Sequence, residues 1–292
     1  MKKIKLTYPI ILTALILLCS NCALFKKSSD KGPITLRYKF DPGQEFVISS
    51  DVTSKFLSEQ MGQSMAVDMD SKTVLGFKVL SGENGNYNIE MEFSEMEQKV
   101  DSPMGEGETD YSELMGKKAS FSLDGTGETD DYEGFEDLPT ITNASGETVT
   151  GEMYEQVPGS SFIKLPDNAV KPGDSWDDNN SREMPYGGGT LKTETNFTYL
   201  VSEKLTIEGE ECLRIEITGT ARTSGNFEQQ GMLIGIDRSS KSSGHLFFAY
   251  NKGMYISMDL VTKTDGLVTV ESAGMTIPQT INSTTKTTVS FK

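Results

Sequence analysis

"YNIEMEF", residues 87–93, sets Tyr87, Ile89, Met91 and Phe93 at every second position, with Asn88, Glu90 and Glu92 between them. Side chains alternate faces along a strand, so this spacing predicts a strand that is buried on one side and wet on the other, as antiparallel sheets allow. The same pattern recurs in "ITLRYKF", 34–40, through Ile34, Leu36, Tyr38 and Phe40, and in "MYISMDL", 254–260, through Met254, Ile256, Met258 and Leu260. In "EECLRIEIT", 210–218, Leu213, Ile215 and Ile217 share one face and Cys212 takes the other. Turn signals separate the runs: "SGENGN" at 81–86, "DGTG" at 124–127 and "NKG" at 251–253. Long helical spacing is missing; the best short helix candidate is "GETVTGEMYEQV", 146–157. The expected fold is mainly β, built of antiparallel sheets of sandwich or half-barrel type with little helix.

Three anchors recur in order in both halves. "FDPGQEF", 40–46, parallels "VKPGDSW", 170–176; "TVLGFKVLSGENGNYNIEMEF", 73–93, parallels "NFTYLVSEKLTIEGEECLRIEITG", 196–219; and "GKKASFSLDGTGE", 116–128, parallels "GHLFFAYNKGMYI", 244–256. Three matches in register predict two related β domains, 34–138 and 168–292, joined by a linker at 139–167 where Pro139, Pro158, Gly159 and Pro166 gather. One continuous sandwich is the alternative.

The chain begins like an exported protein. Lys2, Lys3 and Lys5 form a basic start, and Tyr8 to Leu18 an apolar run, too short for the roughly 20 residues of a spanning helix. "LLCSNC", 17–22, resembles the bacterial lipobox, with Asn21, Ser20, Cys19 and Leu18 at minus one to minus four from Cys22. The resemblance implies a lipoprotein signal peptide over 1–21 and acylation of Cys22, although Cys19 and Asn21 depart from the usual Leu and small residue. Choosing Cys19 instead would set bulky Leu18 at minus one. Residues 22–33 are then a polar tether. The protein is expected in the bacterial cell envelope, held by its lipid in the outer membrane or at the cell surface rather than in the inner membrane.

Removing residues 1–21 takes away three lysines and no acid, leaving 24 basic against 43 acidic side chains and a formal charge of −19. Nucleic acid is excluded as a partner, because phosphate binding needs clustered Lys and Arg. Acyl chains anchor a protein without electrostatic help, so the expected membrane contact is through the N-terminal lipid.

"LPDNAVKPGDSW", 165–176, and "SSGHLFFAYNKGMYIS", 242–257, together with "SEQMGQSMAVDMD", 58–70, resemble a family of uncharacterised exported bacterial lipoproteins with a domain of unknown function, marked by a GDSW turn and a Met-Gly-Gln element. The tail departs from that pattern at Ser272 and Ala273, where a Met-rich segment is expected. The resemblance implies anchoring and architecture and transfers no catalytic residue.

Chemistry-bearing residues are few. Cys212 sits between Glu211 and Leu213 with Glu210 close by, an acidic setting that disfavours a thiolate. Met61, Met65 and Met69 could hold Cu(I), but Met65, Val67 and Met69 also alternate as a strand does. Asp124, Glu128, Asp130 and Asp131 are calcium candidates without EF-hand spacing. His245 is the only histidine, and no G-x-S-x-G elbow accompanies it. Phe46 and Trp176, after matched Pro-Gly turns, read as core plugs rather than sugar platforms. No cofactor is expected, and the chain is read as no enzyme.

"LGFKVL", 75–80, and "HLFFAYNKGMY", 245–255, carry apolar residues on both faces. Something must cover both sides there, either packing between the halves or an apolar cavity. The expected function is non-catalytic binding or structural support, with a protein or an apolar ligand as partner. The alternatives are a carrier of a lipid-like ligand and a carbohydrate-active enzyme.

Overall fold

The computed structural model describes residues 32–291 apart from 61–62, 104, 145–147, 187 and 230–231. Cys19, Cys22, the signal peptide, most of the tether and Met61 therefore lie outside the described residues.

Most of the chain is antiparallel strand. The first half holds β1 (Glu45–Gln60), β2 (Gln63–Glu83), β3 (Asn86–Ser102), β4 (Gly105–Glu108), β5 (Lys118–Asp124) and β6 (Thr129–Glu133). A connecting segment carries the small pair β7 (Ile141–Thr142) and β8 (Thr148–Val149), then the short helices α1 (Gly151–Tyr154) and α2 (Gln156–Ser161). The second half holds β9 (Ser175–Tyr186), β10 (Gly189–Ile207), β11 (Glu210–Gln229), β12 (Met232–Ala249), β13 (Met254–Val270) and β14 (Met275–Phe291). All but β7 and β8 join one open sheet, ordered β6-β5-β3-β2-β1-β14-β13-β12-β11-β10-β9, with β4 alongside β3.

The halves are thus neighbours in one sheet through β1 and β14, from Phe46 opposite Phe291 to Ser58 opposite Gln279. They also share one core. Residues 139–167, expected as a linker, pack into that core: Tyr154, Phe162 and Leu165 are buried, and the Phe162 ring lies 5.3–6.5 Å from those of Tyr38, Phe46, Phe77 and Phe121. Prolines and a glycine made the stretch read as a spacer, and its bulky residues decide otherwise. Of the helix candidate at 146–157, residues 148–157 form β8, α1 and the start of α2, and 146–147 lie outside the described residues.

"ITLRYKF" keeps its alternation but joins no ladder. Leu36, Tyr38 and Phe40 are buried, while the backbone meets two turns, Tyr38 N–H donating to Gly125 O at 2.9 Å and Lys39 N–H to Gly253 O at 3.2 Å. Arg37 clamps the segment by donating to Pro166 O and Asp167 O at 2.7 and 2.9 Å.

Local structure repeats between the halves. Gly43 N–H donates to Val79 O, Val79 N–H to Gln44 O and Gln44 N–H to Asp41 O, at 2.8, 3.0 and 3.0 Å. Gly173, Val201, Asp174 and Lys171 repeat the set at 2.8, 2.9 and 3.0 Å. Phe46 then stacks on Phe77 at 5.0 Å, and Trp176 on Tyr199 at 5.1 Å. Two-residue turns close β2–β3 and β10–β11, with Asn84 and Gly85 at φ 56° and 81° and Glu208 and Gly209 at 51° and 89°. Positive φ at both positions matches the right-handed twist of the strands that such a turn joins.

The sheet has unlike faces. One begins in the core with Phe46, Ile48, Leu75 and Phe77, continues through Ser50, Ser54 and Ser58, and crosses to Thr287, Thr285 and Ser283 on β14. Ser54 and Ser58 are only 6 and 4 % exposed, whereas Lys55 and Glu59 on the other face are open to solvent. The sheet therefore curls around the first face and makes a trough of it. Cross-strand hydroxyl pairs line its middle: Ser54 with Ser283 at 2.8 Å, Ser242 with Thr262 at 2.8 Å, Ser240 with Thr264 at 2.7 Å and Thr193 with Thr223 at 3.0 Å. Such pairs stabilise adjacent strands, and their small size suits a concave surface. At Gly219 the Phe197 ring occupies the space a Cβ would need. The outward face carries ion pairs such as Lys72–Glu95, Arg222–Asp237 and Lys263–Asp265.

Candidate functional site

At the foot of the trough, where the apolar core meets the hydroxyl band, a cavity of about 230 Å3 lies between the sheet and α2. Its walls from the sheet are Ile48, Leu75, Phe93, Met96 and Met258, with Val157 from α2. Hydroxyls of Ser50, Thr73, Thr287, Ser160, Ser161 and Tyr255 complete the lining. Ser50 and Thr287 are hydrogen-bonded to each other at 3.3 Å. Ser160 and Ser161 donate to Val157 O at 2.9 and 2.8 Å, closing the last turn of α2 on itself.

Tyr255 reaches this cavity because of a bulge. β12 pairs Phe247 with Ser257 but Phe248 with Tyr255, which leaves Ile256 as the extra residue. A bulge re-aims side chains, so Tyr255 turns inward, fully buried, and donates from its hydroxyl to Ser161 O at 2.8 Å. Burial pushes this phenol well above its ordinary pKa. Ile256, expected beside Met254 and Met258, packs instead with Leu205, Cys212 and Ala249 on the opposite face. Both faces of "HLFFAY" are thereby covered: Leu246 and Phe248 enter the main core, with Phe248 5.8 Å from Tyr38, and Phe247 and Ala249 join the smaller cluster. In "LGFKVL" only one face is covered, for Leu75, Phe77 and Val79 are buried and Leu80 is 48 % exposed.

The other candidates lie apart from this cavity. Asp124 accepts from the N–H groups of Thr126 and Glu128 at 2.8 and 2.9 Å; burial would raise its pKa, but these bonds and nearby Lys164 hold it below the ordinary value. Glu128 pairs with Lys164 at 2.7 Å, Asp130 accepts from Asp131 N–H, and Asp131 accepts from Ser122. The four acids thus have separate partners and do not form one calcium shell. Met65 and Met69 sit in β2 on the trough face, and four strand residues put them roughly 13 Å apart, too far to share one copper ion. Gln98 donates to the Met69 sulfur at 3.4 Å. His245 lies on the outward face, its Nε2 3.7 Å from an Asp259 oxygen.

Phe46 is fully buried, and Trp176 is half-buried with its Nε1–H donating to Lys164 O at 2.9 Å. Both serve as plugs. Cys212 is fully buried, and burial, with Glu210 adding to it, pushes its thiol up to about 11. Cys212 should therefore resist iodoacetamide at pH 8 in the native protein and be alkylated only on unfolding, as peptide mapping would show. Rapid native labelling would overturn the placement of Cys212.

A second, more open groove of about 790 Å3 lies along β2, β3, β5 and β6, lined in part by Glu83, Asn86, Asn88, Asp131, Tyr132 and Glu133. Its other rings, Tyr87 and Phe121, belong to the buried core, so they offer no face to a sugar.

No family model matches the chain. No curated protein matches it either. Among solved structures the chain is similar to Pseudomonas aeruginosa OpdQ, with 10% identity, a TM-score of 0.20, and coverage of 85% of this chain and 98% of that one. A likeness at that level carries no argument about function.

Proposed function

We propose that this protein is a lipid-anchored component of the bacterial envelope that works by binding, with the trough and the cavity at its foot as the binding surface. The partly open cavity between α2 and the sheet is the observation that carries this reading, since ligand sites are concave, mostly apolar and furnished with a few polar groups. The anchor reading rests on "LLCSNC" with Cys22 as the acylated residue. It accords with an open sheet whose outward face carries ion pairs, where a lipid-facing sheet needs an apolar band. Among the described residues no helix is long and apolar enough to cross a membrane. The matched turns and stacked rings support an origin by duplication of one β unit, within the lipoprotein family that the GDSW turn and the Met-Gly-Gln element resemble.

The non-catalytic reading is supported by the raised pKa of the Cys212 thiol and by the outward position of His245. The carbohydrate-active alternative has one half-buried ring, Tyr132, in the acidic groove, while Tyr87 and Phe121 are buried there. Intact-mass spectrometry under native conditions, on mature protein released gently from membranes, is the test. A small molecule retained on the folded protein and lost on denaturation is the expected result. Protein that is consistently empty, and that binds no amphiphile added to it, would defeat the binding reading.

A further inference from the structure

We infer that the cavity beneath α2 takes the tail of an uncharged, hydroxyl-bearing amphiphile, such as a medium-chain alcohol or a monoacylglycerol, and discriminates against fatty-acid anions. This rests on the binding role proposed above. The cavity has two zones. Ile48, Leu75 and Phe93 form the apolar row nearest the core, and Ser50, Thr73 and Thr287 form the next row along the same face, level with Met96 and Met258, as its rim. None of the twelve lining residues is acidic or basic.

A carboxylate seated at the rim would lose water without meeting a cation, and burying an unpaired charge is far costlier than burying a hydrogen-bonded hydroxyl. The formal charge of −19 on residues 22–292 works in the same direction, repelling anions as they approach. An alcohol has no such conflict. The Ser50 and Thr287 hydroxyls, 3.3 Å apart, hold two protons and use one between them, which leaves the pair able both to donate to a guest hydroxyl and to accept from it. The size of the cavity limits the tail. About 230 Å3 is below the roughly 300–1,000 Å3 of drug-sized sites, so a long acyl chain would not fit whole. A longer guest would extend along the trough past the hydroxyls of Ser54, Ser283 and Thr285.

The experiment is equilibrium dialysis of labelled 1-decanol and labelled decanoate against the full mature protein at pH 8. The alcohol should bind at least tenfold more tightly. Met258→Trp, which fills the cavity from the sheet, should weaken 1-decanol at least tenfold, and Val157→Phe, filling it from α2, provides the same reading should the first variant fold poorly. Replacing Ser50 by Ala and Thr287 by Val together should weaken 1-decanol about three- to tenfold, the worth of the lost hydrogen bonds, and should leave decanoate weak, since no cation is gained. Decanoate binding as tightly as 1-decanol, or 1-decanol binding untouched by both filling variants, would overturn the inference and leave the binding function standing. Failure of the folded protein to bind either probe would remove both.

Discussion

Phe162→Ala should lower the unfolding free energy by about 3–5 kcal/mol, the usual cost of deleting a buried phenyl ring. Against a total stability on the order of 5–15 kcal/mol, this is enough to leave a visible unfolded fraction at modest urea concentration. The large effect follows from position. Phe162 enters from the segment between the halves and meets Tyr38, Phe46, Phe77 and Phe121, so its loss opens a void bounded by three rings fixed in strands and one held in the extended segment 34–40. Leu80→Ala, at a side chain 48 % exposed, should change stability by less than about 0.5 kcal/mol. Urea unfolding followed by the fluorescence of Trp176, the only tryptophan, gives both numbers. A loss under 1 kcal/mol for Phe162→Ala would mean that residues 139–167 do not belong to the core.

Cys22→Ala should convert the protein from membrane-bound to unprocessed. Acylation of the thiol precedes cleavage at a lipobox, so without the thiol the chain should accumulate with residues 1–21 attached and carry no diacylglyceryl mass. Cys19→Ala should alter neither processing nor partition, because under the proposed anchoring residue 19 is removed with residues 1–21. Mass spectrometry of the mature N-terminus distinguishes the outcomes. Acyl chains on Cys19, or a mature terminus without lipid, would refute the anchor.

The strands were legible because burial on one face forces a period of two. Tyr87, Ile89, Met91 and Phe93 are all buried, as their spacing requires. Leu36, Tyr38 and Phe40 are buried too, but there the alternation comes from an extended segment lying on the core, and nothing in a single segment's pattern tells a ladder from such a strap. Tyr255 was misplaced because a bulge changes face parity without leaving a turn signal in "MYISMDL". Phe162 was missed for a different reason: "SSFIKLPDN" has no period at all, and its burial is decided by rings far away in sequence. The cavity was illegible on the same ground. Ile48, Phe93, Val157, Tyr255 and Thr287 meet only through pairings that span the chain. Apolar residues on both faces of "HLFFAY" did point to double coverage, and Leu246, Phe248 and Ala249 confirm it.

The pairing of β1 with β14 has a consequence in time. Phe46 finds its partner Phe291 some 245 residues later in the chain, so a nascent polypeptide lacks the central seam of its own sheet until β14 has been made. Contacts of such sequence separation slow folding, because a very long loop must close before any ladder hydrogen bond compensates for it. Until then β1 and β13 each present an unpaired edge, the kind of surface that recruits other chains. Shielding those two edges until β14 arrives is therefore the step on which the yield of folded protein turns.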